Sequence, residues 1–263
     1  MALHSAPLIL LAMARLGQHI TVDSRVLNRL VELAAPTSDD VVLEPGCGDG
    51  RLTELLVRRG CRVISVEIDP TLFEEASRRL SRWKGVTIIR GDLLKIKPGG
   101  FTMIVGSPPY YLSRRLIEWL TTEAMPRKIV LVLQKEFAEK LVAPPGSSNY
   151  LFISLVSQML YDVELHDRVS PASFRPPPKV VSCIATMSRN NVPPPEPGCF
   201  KILKQIFTDR RHKLGKILGK LGYTPNPPHL ANKRVYELTP REALTLVNNL
   251  VKSEAERPNQ RVS

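Results

Sequence analysis

Short runs of β-branched and apolar residues alternate with helical patterns over residues 25–190, and this alternation limits the fold more than any other feature. Seven runs have the length and composition of strands: Val41–Glu44, Arg62–Glu67, Val86–Arg90, Thr102–Val105, Ile129–Leu133, Asp162–His166 and Val180–Met187. Helical patterns lie between the early runs, at Arg51–Arg59, Leu72–Trp83 and Arg114–Thr121. Runs such as Ile129–Leu133 are apolar on both faces, as expected of a strand covered by helices on each side. The sequence therefore predicts a doubly wound α/β domain with a mostly parallel, seven-stranded sheet, whose ligands bind at the carboxyl ends of the strands.

A proline-rich segment marks the boundary of a second, smaller domain. Residues 190–199 contain four prolines, which fix φ and remove amide donors, so neither helix nor sheet continues through them. We predict a catalytic domain over residues 1–189, a linker at 190–199 and a small all-helical domain over 200–263. Within that domain, Thr239 followed by Pro240 predicts the start of a final amphipathic helix.

Charge and cysteine content narrow the class of partner. The formal net charge is +12, and residues 190–263 carry 13 basic side chains against 6 acidic ones, which is typical of nucleic-acid binding. No apolar run reaches the roughly 18 residues of a membrane span, and the four cysteines are too widely spaced for the Cys-x-x-Cys pairs of metal or redox sites. We expect a cytoplasmic monomer with four buried thiols, no metal and no membrane contact.

A Gly-x-Gly-x-Gly run at residues 46–50 follows the first strand and precedes a helix. Glycine lets the backbone turn tightly and approach a ligand closely. At the next two strand ends, Glu67 can accept hydrogen bonds from both hydroxyls of a ribose, and Asp92 can reach an adenine amino group. The spacing differs from the dinucleotide fingerprint Gly-x-Gly-x-x-Gly and from a Walker phosphate loop, which disfavours an NAD or nucleoside-triphosphate enzyme. The pattern resembles that of S-adenosylmethionine-dependent methyltransferases, whose cofactor has ribose and adenine but no phosphate.

The fourth strand ends in Ser107-Pro108-Pro109-Tyr110, which resembles the signature of methyltransferases that act on exocyclic nitrogens of nucleobases. An adenine amino group is a poor nucleophile because its lone pair is delocalised into the ring. Acceptors such as Ser107 Oγ and the Pro108 carbonyl can hold its hydrogens out of the ring plane and localise that pair. The prolines rigidify the loop, and Tyr110 offers a face for a base taken out of its stack. The alternative is a proline-rich turn with a core tyrosine.

Six motifs in order resemble the KsgA-type small-subunit ribosomal RNA adenine dimethyltransferases over about residues 16–250. They are residues 16–23, the glycine-rich run at 44–53, Val66–Asp69, Gly91–Asp92, residues 133–143 and the segment Val169–Val180. The resemblance implies a Rossmann-like class I methyltransferase fold. It also implies transfer of two methyl groups from S-adenosylmethionine to N6 of each of two adjacent adenosines, in the 3′-terminal hairpin loop of the small-subunit rRNA, on an immature ribosomal subunit.

The resemblance also assigns roles to individual positions. It implies that Phe174 flanks the target base opposite Tyr110. The alternative is that the Phe174 ring belongs to the hydrophobic core. Position 107, where the family usually has Asn, is Ser here, which supplies a single hydroxyl oxygen. The cofactor-binding positions are His19, Thr21, Gly46, Gly48, Glu67, Ile68, Asp92 and Ser107.

A strongly basic stretch at residues 200–220 has apolar residues at helical spacing, which predicts a helix with one buried stripe. Arg210 and Arg211 continue that stripe, so their stems can be buried while their guanidinium groups face a cleft between the domains that RNA phosphates enter. A solvated basic helix is the alternative. The predicted RNA-binding residues are Arg114, Arg115, Arg175, Lys179, Arg210, Arg211 and Lys213.

Three other functions remain open at this point. An Erm-type large-subunit rRNA adenine methyltransferase shares the fold and motifs, although the proline-rich segment at 171–179 and the final helix favour the small-subunit enzyme. A ribosome-assembly or nucleic-acid-binding factor that has lost turnover is disfavoured by the presence of Glu67, Asp92 and Tyr110. A DNA amino methyltransferase usually needs a larger recognition domain than the C-terminal residues provide.

Overall fold

The structure is a computed structural model that describes residues 19–196 and 198–255. Its contacts divide the chain into two compact units. The first consists of the described residues up to Ala138 together with Val163–Arg189, and the second of Glu139–Asp162 together with the described residues from Asn190 onward. This division is not the linear one expected from the sequence, because residues 139–162 join the second unit rather than the first.

Seven strands of the larger sheet carry the first unit. They are β2 (Val41–Pro45), β3 (Arg62–Glu67), β4 (Val86–Arg90), β5 (Met103–Gly106), β6 (Lys128–Gln134), β7 (Tyr161–Val169) and β9 (Ser182–Arg189). Their order across the sheet is β4-β3-β2-β5-β6-β9-β7. The first five strands run parallel, whereas β9 is antiparallel to β6. The predicted α/β fold with a mostly parallel seven-stranded sheet is confirmed. A separate two-stranded sheet pairs β1 (Ile20–Thr21) with β8 (Phe174–Arg175).

Three of the helices around this sheet begin directly after an aspartate that caps them. Asp23, Asp69 and Asp92 each accept a hydrogen bond from a backbone amide of the following helix, as N-cap residues do. The helices of the first unit are α1 (Ser24–Ala34), α2 (Arg51–Val57), α3 (Pro70–Leu80), α4 (Leu93–Ile96), α5 (Ser113–Trp119), which continues as a π-helical turn at Leu120–Ala124, and α6 (Lys135–Leu141), which passes into the second unit.

The core of the first unit lies between α1, α2 and the central strands. Its buried residues include Leu30, Val42, Leu56 and Val130, each 0 % exposed. The strand residues come from β2 and β6, which read as continuous apolar runs because both of their faces are covered. This packing fixes the carboxyl ends of β2, β3, β4 and β5 along one edge of the sheet, where the glycine-rich run and the Ser-Pro-Pro-Tyr loop begin.

The second unit is helical apart from the start of β7. Its helices are α7 (Phe152–Leu160), α8 (Cys199–Thr208), α9 (Leu214–Lys220) and α10 (Pro240–Ala255). Tyr150 donates a hydrogen bond from its hydroxyl to the Leu238 carbonyl oxygen at 3.0 Å, and its ring lies 6.1 Å from that of Phe207. The predicted start of the final helix is confirmed: Thr239 Oγ1 accepts from the Glu242 amide, and the Thr239 amide donates to the Glu242 carboxylate.

The predicted single helix over residues 200–220 is wrong. Helix α8 ends at Thr208 and α9 begins at Leu214, so Arg210, Arg211 and Lys213 lie on the turn between them. The Tyr236 amide donates to the Arg210 carbonyl oxygen and the Val235 amide to that of His212, so another segment satisfies the backbone that a continuous helix would have paired internally. All four cysteines are buried and free, as expected.

Candidate functional site

The glycine-rich loop and the Ser-Pro-Pro-Tyr loop line one pocket at the carboxyl edge of the sheet, with about 530 Å³ of empty space. Gly46 and Gly48 line it from one side and Ser107 and Pro109 from the other. Six of the eight predicted cofactor-binding residues line this pocket, namely His19, Thr21, Gly46, Gly48, Glu67 and Ser107. Residues 16–18 of the N-terminal motif lie outside the described residues.

Neighbouring side chains leave little space for a Cβ at two glycines near the two loops. Gly48 has φ +52°, and a Cβ there would lie 3.3 Å from the Ile20 side chain. At Gly106, the last residue of β5, a Cβ would lie 2.8 Å from Cδ of Pro45, closer than side chains tolerate. A larger residue at position 106 would therefore push the ends of β2 and β5 apart, and with them the two loops that they carry.

Glu67 is a buried carboxylate at the end of β3 and is 2 % exposed. Its Oε2 accepts from the Gly48 amide at 3.1 Å and its Oε1 from the Asp69 amide at 2.9 Å. Burial raises the pKa of Glu67, while the hydrogen bonds from these amides act in the opposite direction. Each carboxylate oxygen has a second lone pair, so Glu67 retains the capacity to accept hydrogen bonds from a ligand in the pocket.

A second pocket, with about 340 Å³ of empty space, adjoins the first and shares Gly46, Glu67 and Pro109 with it. Ile68 and Asp92, the other two predicted cofactor-binding residues, line this pocket. Tyr111 also lines it and is 57 % exposed. Tyr111 was not predicted as a site residue, because it follows the Ser-Pro-Pro-Tyr motif and belongs to no motif itself.

Tyr110 begins a single 3₁₀ turn, Tyr110–Leu112, directly after the two prolines. Its ring is half-buried and lies 5.4 Å from the His19 ring, with the two planes 34° apart. The Leu112 amide donates to the Pro109 carbonyl oxygen at 2.9 Å, which closes the turn. The Tyr110 hydroxyl lies 2.6 Å from Ser182 Oγ. Burial raises the pKa of Tyr110, so the hydroxyl is neutral near pH 7.

Phe174 does not lie at the surface of either pocket. It is 2 % exposed and belongs to the core cluster that also contains Leu27, Val31 and Val169. Its backbone pairs with Thr21, which lines the first pocket. The structure therefore places Phe174 behind a pocket residue, which is the core interpretation of this ring, and its contact with a base stays a prediction.

Glu44, at the end of β2, is a pocket residue that the sequence analysis left without a role. It is 1 % exposed, and Thr53 Oγ1 donates to its Oε2 at 2.5 Å. Burial raises the pKa of Glu44 to about 8, with smaller contributions from the negative charges of Glu67 and Asp49. A carboxyl group with such a pKa exchanges a proton near neutral pH, which is a property of functional sites more often than of structural ones.

The predicted RNA-binding residues of the first unit are exposed. They are Arg114 and Arg115 at the start of α5, Arg175 in β8 and Lys179 in the loop before β9. Arg114 and Arg115 follow the Ser-Pro-Pro-Tyr loop within one helical turn. They are free to contact phosphates without disturbing the core.

In the second unit, three arginines line a cavity with about 540 Å³ of empty space. Arg210 donates to the Ser148 carbonyl oxygen at 2.9 Å, and Arg234 donates to the carbonyl oxygen of Arg211. Gly146 and Tyr236 complete the wall. Lys213, also predicted to bind RNA, is exposed on the same turn and pairs with Arg234 through an isolated β-bridge. This arrangement concentrates positive charge where an anion can enter.

Residues 19–196 and 198–255 contain neither a membrane-spanning helix nor a cluster of metal-binding side chains. In this part of the chain, no helix is long and apolar enough to cross a membrane. The same residues contain no group of three or more His, Cys, Asp or Glu side chains that could hold a metal ion.

The fold and the paired pockets define the class: this is an S-adenosylmethionine-dependent methyltransferase. Comparison with known proteins identifies the family, because the model described as "Ribosomal RNA adenine dimethylase" matches residues 10–250. The chain belongs to the ribosomal RNA adenine dimethylase family. The resemblance to KsgA-type enzymes that the motifs indicated is confirmed.

Individual relatives agree with this membership. The chain is 33 % identical to a Pyrococcus abyssi protein named "Probable ribosomal RNA small subunit methyltransferase A", over 87 % of this chain and 88 % of the relative. It is 38 % identical to the "Ribosomal RNA small subunit methyltransferase A" of Synechococcus sp., over 79 % of each chain. Among solved structures, a dimethyladenosine transferase from Plasmodium falciparum superposes with a TM-score of 0.76 at 25 % identity, covering 90 % of this chain and 98 % of that one.

The 23S rRNA methyltransferase ErmE also superposes, with a TM-score of 0.65 at 25 % identity, and covers 87 % of this chain and 98 % of that one. The two solved structures therefore share the fold with this chain over most of its length, and the dimethyladenosine transferase shares it more closely.

Proposed function

We propose that this protein dimethylates N6 of two adjacent adenosines in the 3′-terminal hairpin loop of the small-subunit rRNA, as a step in the assembly of that subunit. The family supplies the reaction class, and the relatives that match most of the chain are named for the small subunit. The observation that carries the proposal is that the glycine-rich loop and the Ser-Pro-Pro-Tyr loop line one pocket beside Glu67. Donor and acceptor of a methyl group both need to reach that space.

One unsatisfied polar group of the first pocket and the acids around it fit S-adenosylmethionine. Thr21 lines the pocket, and its Oγ1 is buried and has no hydrogen-bond partner among the described residues. Such an atom is costly to bury unless a ligand bonds to it. Glu67 would hold the ribose hydroxyls, and Asp92 with Ile68 the adenine. Arg51, also in the lining, is paired with Asp49 at 2.8 Å, so the pocket favours a ligand without phosphates.

S-adenosylmethionine supplies a methyl group that its sulfonium already activates, so no strong general base is needed and catalysis consists mainly of positioning. The Pro109 carbonyl oxygen is engaged by the Leu112 amide. Ser107 Oγ and the Pro108 carbonyl oxygen remain as the acceptors for the adenine amino hydrogens. By accepting those hydrogens they hold the nitrogen lone pair out of conjugation, while the Tyr110 ring supports the base.

Arginine side chains provide the affinity for RNA in this proposal. Phosphate contacts are electrostatic and depend on salt, whereas the shape of the hairpin and the captured base provide specificity. Arg114, Arg115, Arg175 and Lys179 of the first unit are exposed, and Arg210 and Arg211 line the cavity of the second. A monomer is part of the same proposal, since one chain contains both loops of the pocket, and a cytoplasmic location is proposed with it.

Purified protein, S-adenosylmethionine and two substrates test the proposal. Immature small subunits that lack adenine dimethylation form one arm, and large subunits that lack it form the other. We expect mass spectrometry of the digested rRNA to show N6,N6-dimethyladenosine at two adjacent positions of the small-subunit RNA only. Modification of large-subunit RNA would instead support an Erm-type enzyme, and unmodified adenosine in both arms would contradict the enzymatic proposal.

Replacing Arg210 and Arg211 together with Ala tests the RNA contact. We expect roughly 10-fold weaker binding to small subunits at low salt, and a slope of log affinity against log salt that is reduced by about 1 to 2. Filter binding at several salt concentrations measures both. The matched control replaces Lys201 and Arg241, two exposed residues outside the cavity, so that the same charge is lost. Equal effects of the two double variants would show that Arg210 and Arg211 attract RNA only through net charge and not through a contact at the cavity.

A further inference from the structure

Ser182 carries a buried hydroxyl that contacts the Ser-Pro-Pro-Tyr loop, and neither the motifs nor the proposed mechanism uses it. It is the first residue of β9, lies opposite Gln134 of β6 and is 0 % exposed. Its Oγ lies 2.6 Å from the Tyr110 hydroxyl oxygen, which is short for a hydrogen bond between two hydroxyls. A side chain of the antiparallel strand thus reaches the loop that follows β5.

Two residues from other segments contact the Tyr110 side chain, Ser182 at its hydroxyl and His19 at its ring. The ring stands on a single 3₁₀ turn, and such a short element does not fix χ1 and χ2 by itself. The His19 ring lies 5.4 Å away, and His19 Nδ1 lies 2.7 Å from the Pro176 carbonyl oxygen. Because a carbonyl oxygen only accepts, Nδ1 carries the proton and the imidazole is itself held in place. Ser182 and His19 therefore constrain the two ends of one tyrosine.

We propose that Ser182 is a positioning residue, which fixes the Tyr110 ring in the orientation that receives the target adenine. This inference rests on the proposed function. Ser182 touches neither base nor cofactor in this account, since it acts through the Tyr110 hydroxyl alone. Loss of either hydroxyl leaves the other buried without its partner, so the two groups are expected to act as one unit.

A double-mutant cycle tests the unit with three variants: Ser182→Ala, Tyr110→Phe and the double variant. We expect each single variant to lower the single-turnover rate of methyl transfer by roughly 10-fold, because a small misplacement of a positioning group is costly. The double variant is expected to be no slower than either single one. Affinities for S-adenosylhomocysteine and for small subunits are expected to stay within about 2-fold, since binding precedes the orientation of the base.

Two further variants separate positioning from stability. Ser182→Thr keeps the hydroxyl and is expected to restore most of the rate. Ser157→Ala removes another fully buried serine, whose Oγ has no partner among the described residues, and is expected to leave the rate unchanged. Thermal melting of every variant shows how much of each protein is folded.

The outcomes distinguish failure of the role of Ser182 from failure of the proposed function. Wild-type transfer together with wild-type rates in Ser182→Ala, or losses that multiply in the double variant, would overturn the role of Ser182 and leave the proposed function intact. Parallel loss of melting temperature, cofactor affinity and rate in Ser182→Ala would reduce Ser182 to a structural residue. No transfer by the wild-type protein would overturn the proposed function and the role of Ser182 with it.

Discussion

Buried carboxylates lie at both ends of the large sheet, Asp40 at the amino end and Glu44 and Glu67 at the carboxyl end, and they differ in the groups that donate to them. Asp40, just before β2, is 4 % exposed and accepts from Arg127 Nε at 3.0 Å and from Arg127 Nη2 at 2.7 Å. The Arg127 guanidinium holds the pKa of Asp40 well below its usual range. At the carboxyl ends of β2 and β3, Glu44 and Glu67 are buried as deeply, but the donors described above are a hydroxyl and backbone amides. Burial raises the pKa of both.

This difference separates scaffold from site. A buried carboxylate that has its own cation is satisfied without a ligand, so it ties strands together and has no capacity left over. A carboxylate whose pKa is raised by burial is held at an electrostatic cost, and such groups occur at functional sites more often than elsewhere. The carboxylates whose burial is unfavourable therefore lie at the edge of the sheet that carries the pocket. The carboxylate at the opposite edge is paired with an arginine.

Glu44→Gln sharpens the comparison through the pH dependence of stability. The folded-state pKa of Glu44 is about 8 against an ordinary value of 4.5. The folded protein thus holds a proton that the unfolded chain releases, and stability falls as the pH rises from about 5 to about 8. The loss approaches about 4 kcal/mol over this range. A glutamine resembles the protonated acid and still accepts from Thr53, so the variant is expected to be more stable near pH 8 and unchanged near pH 4.

Urea unfolding of the ligand-free protein across this pH range measures the effect. The control is Glu74→Gln, which changes an exposed carboxylate on α3 and is expected to keep the wild-type pH profile. Superimposable profiles for wild type and Glu44→Gln would show that Glu44 is ionised in the folded protein, and the contrast with Asp40 would be lost.

Much of this site followed from the sequence, because strand ends and loops are local features. The predicted strands Arg62–Glu67 and Val86–Arg90 have the bounds found in the structure. Glu67 is the last residue of β3 and Asp92 lies two residues beyond β4, so the strand bounds alone place both acids at the carboxyl edge of the sheet. All eight predicted cofactor-binding residues line the two pockets.

Other features depend on contacts between distant segments, which no local pattern records. The sheet of β1 and β8 consists of two residues per strand, too few for a periodicity. The turn at residues 209–213 interrupts an apolar pattern that fits a helix, because distant backbone groups at Val235 and Tyr236 pair with it instead. As an aromatic residue, Phe174 is chemically suited to stack on a base. Only the packing of the core shows that its ring is buried.

Glu67→Gln tests whether the Glu67 carboxylate serves the cofactor. The amide keeps one oxygen for the backbone donors and loses the charge, so one strong hydrogen bond to the ribose is weakened. Because hydrogen bonds to charged groups contribute about 1.5–3 kcal/mol, we expect affinity for S-adenosylhomocysteine to fall by roughly 30-fold in titration calorimetry. Asp49→Asn is the matched control, since Asp49 lines the same pocket but is paired with Arg51. It is expected to change the affinity less than about 3-fold. Equal losses in the two variants would mean that Glu67 serves the cofactor no more than Asp49, the acid paired with Arg51, does.

Asp40→Asn tests the other side of the comparison, because this acid is expected to serve stability alone. The variant weakens the bond to Arg127, whose side chain is 49 % exposed, so water replaces part of the lost interaction. We therefore expect a loss of about 2 kcal/mol in the free energy of unfolding, less than the roughly 3–5 kcal/mol of a fully buried pair. Asp167→Asn removes the partner of Arg29 in a pair that is exposed on both sides, and is expected to cost less than about 1 kcal/mol. Below the melting transition, affinity for S-adenosylhomocysteine is expected to match the wild type in both variants. A cofactor affinity that falls with Asp40→Asn would mean that the two ends of the sheet are energetically coupled, and that the paired carboxylate also belongs to the site.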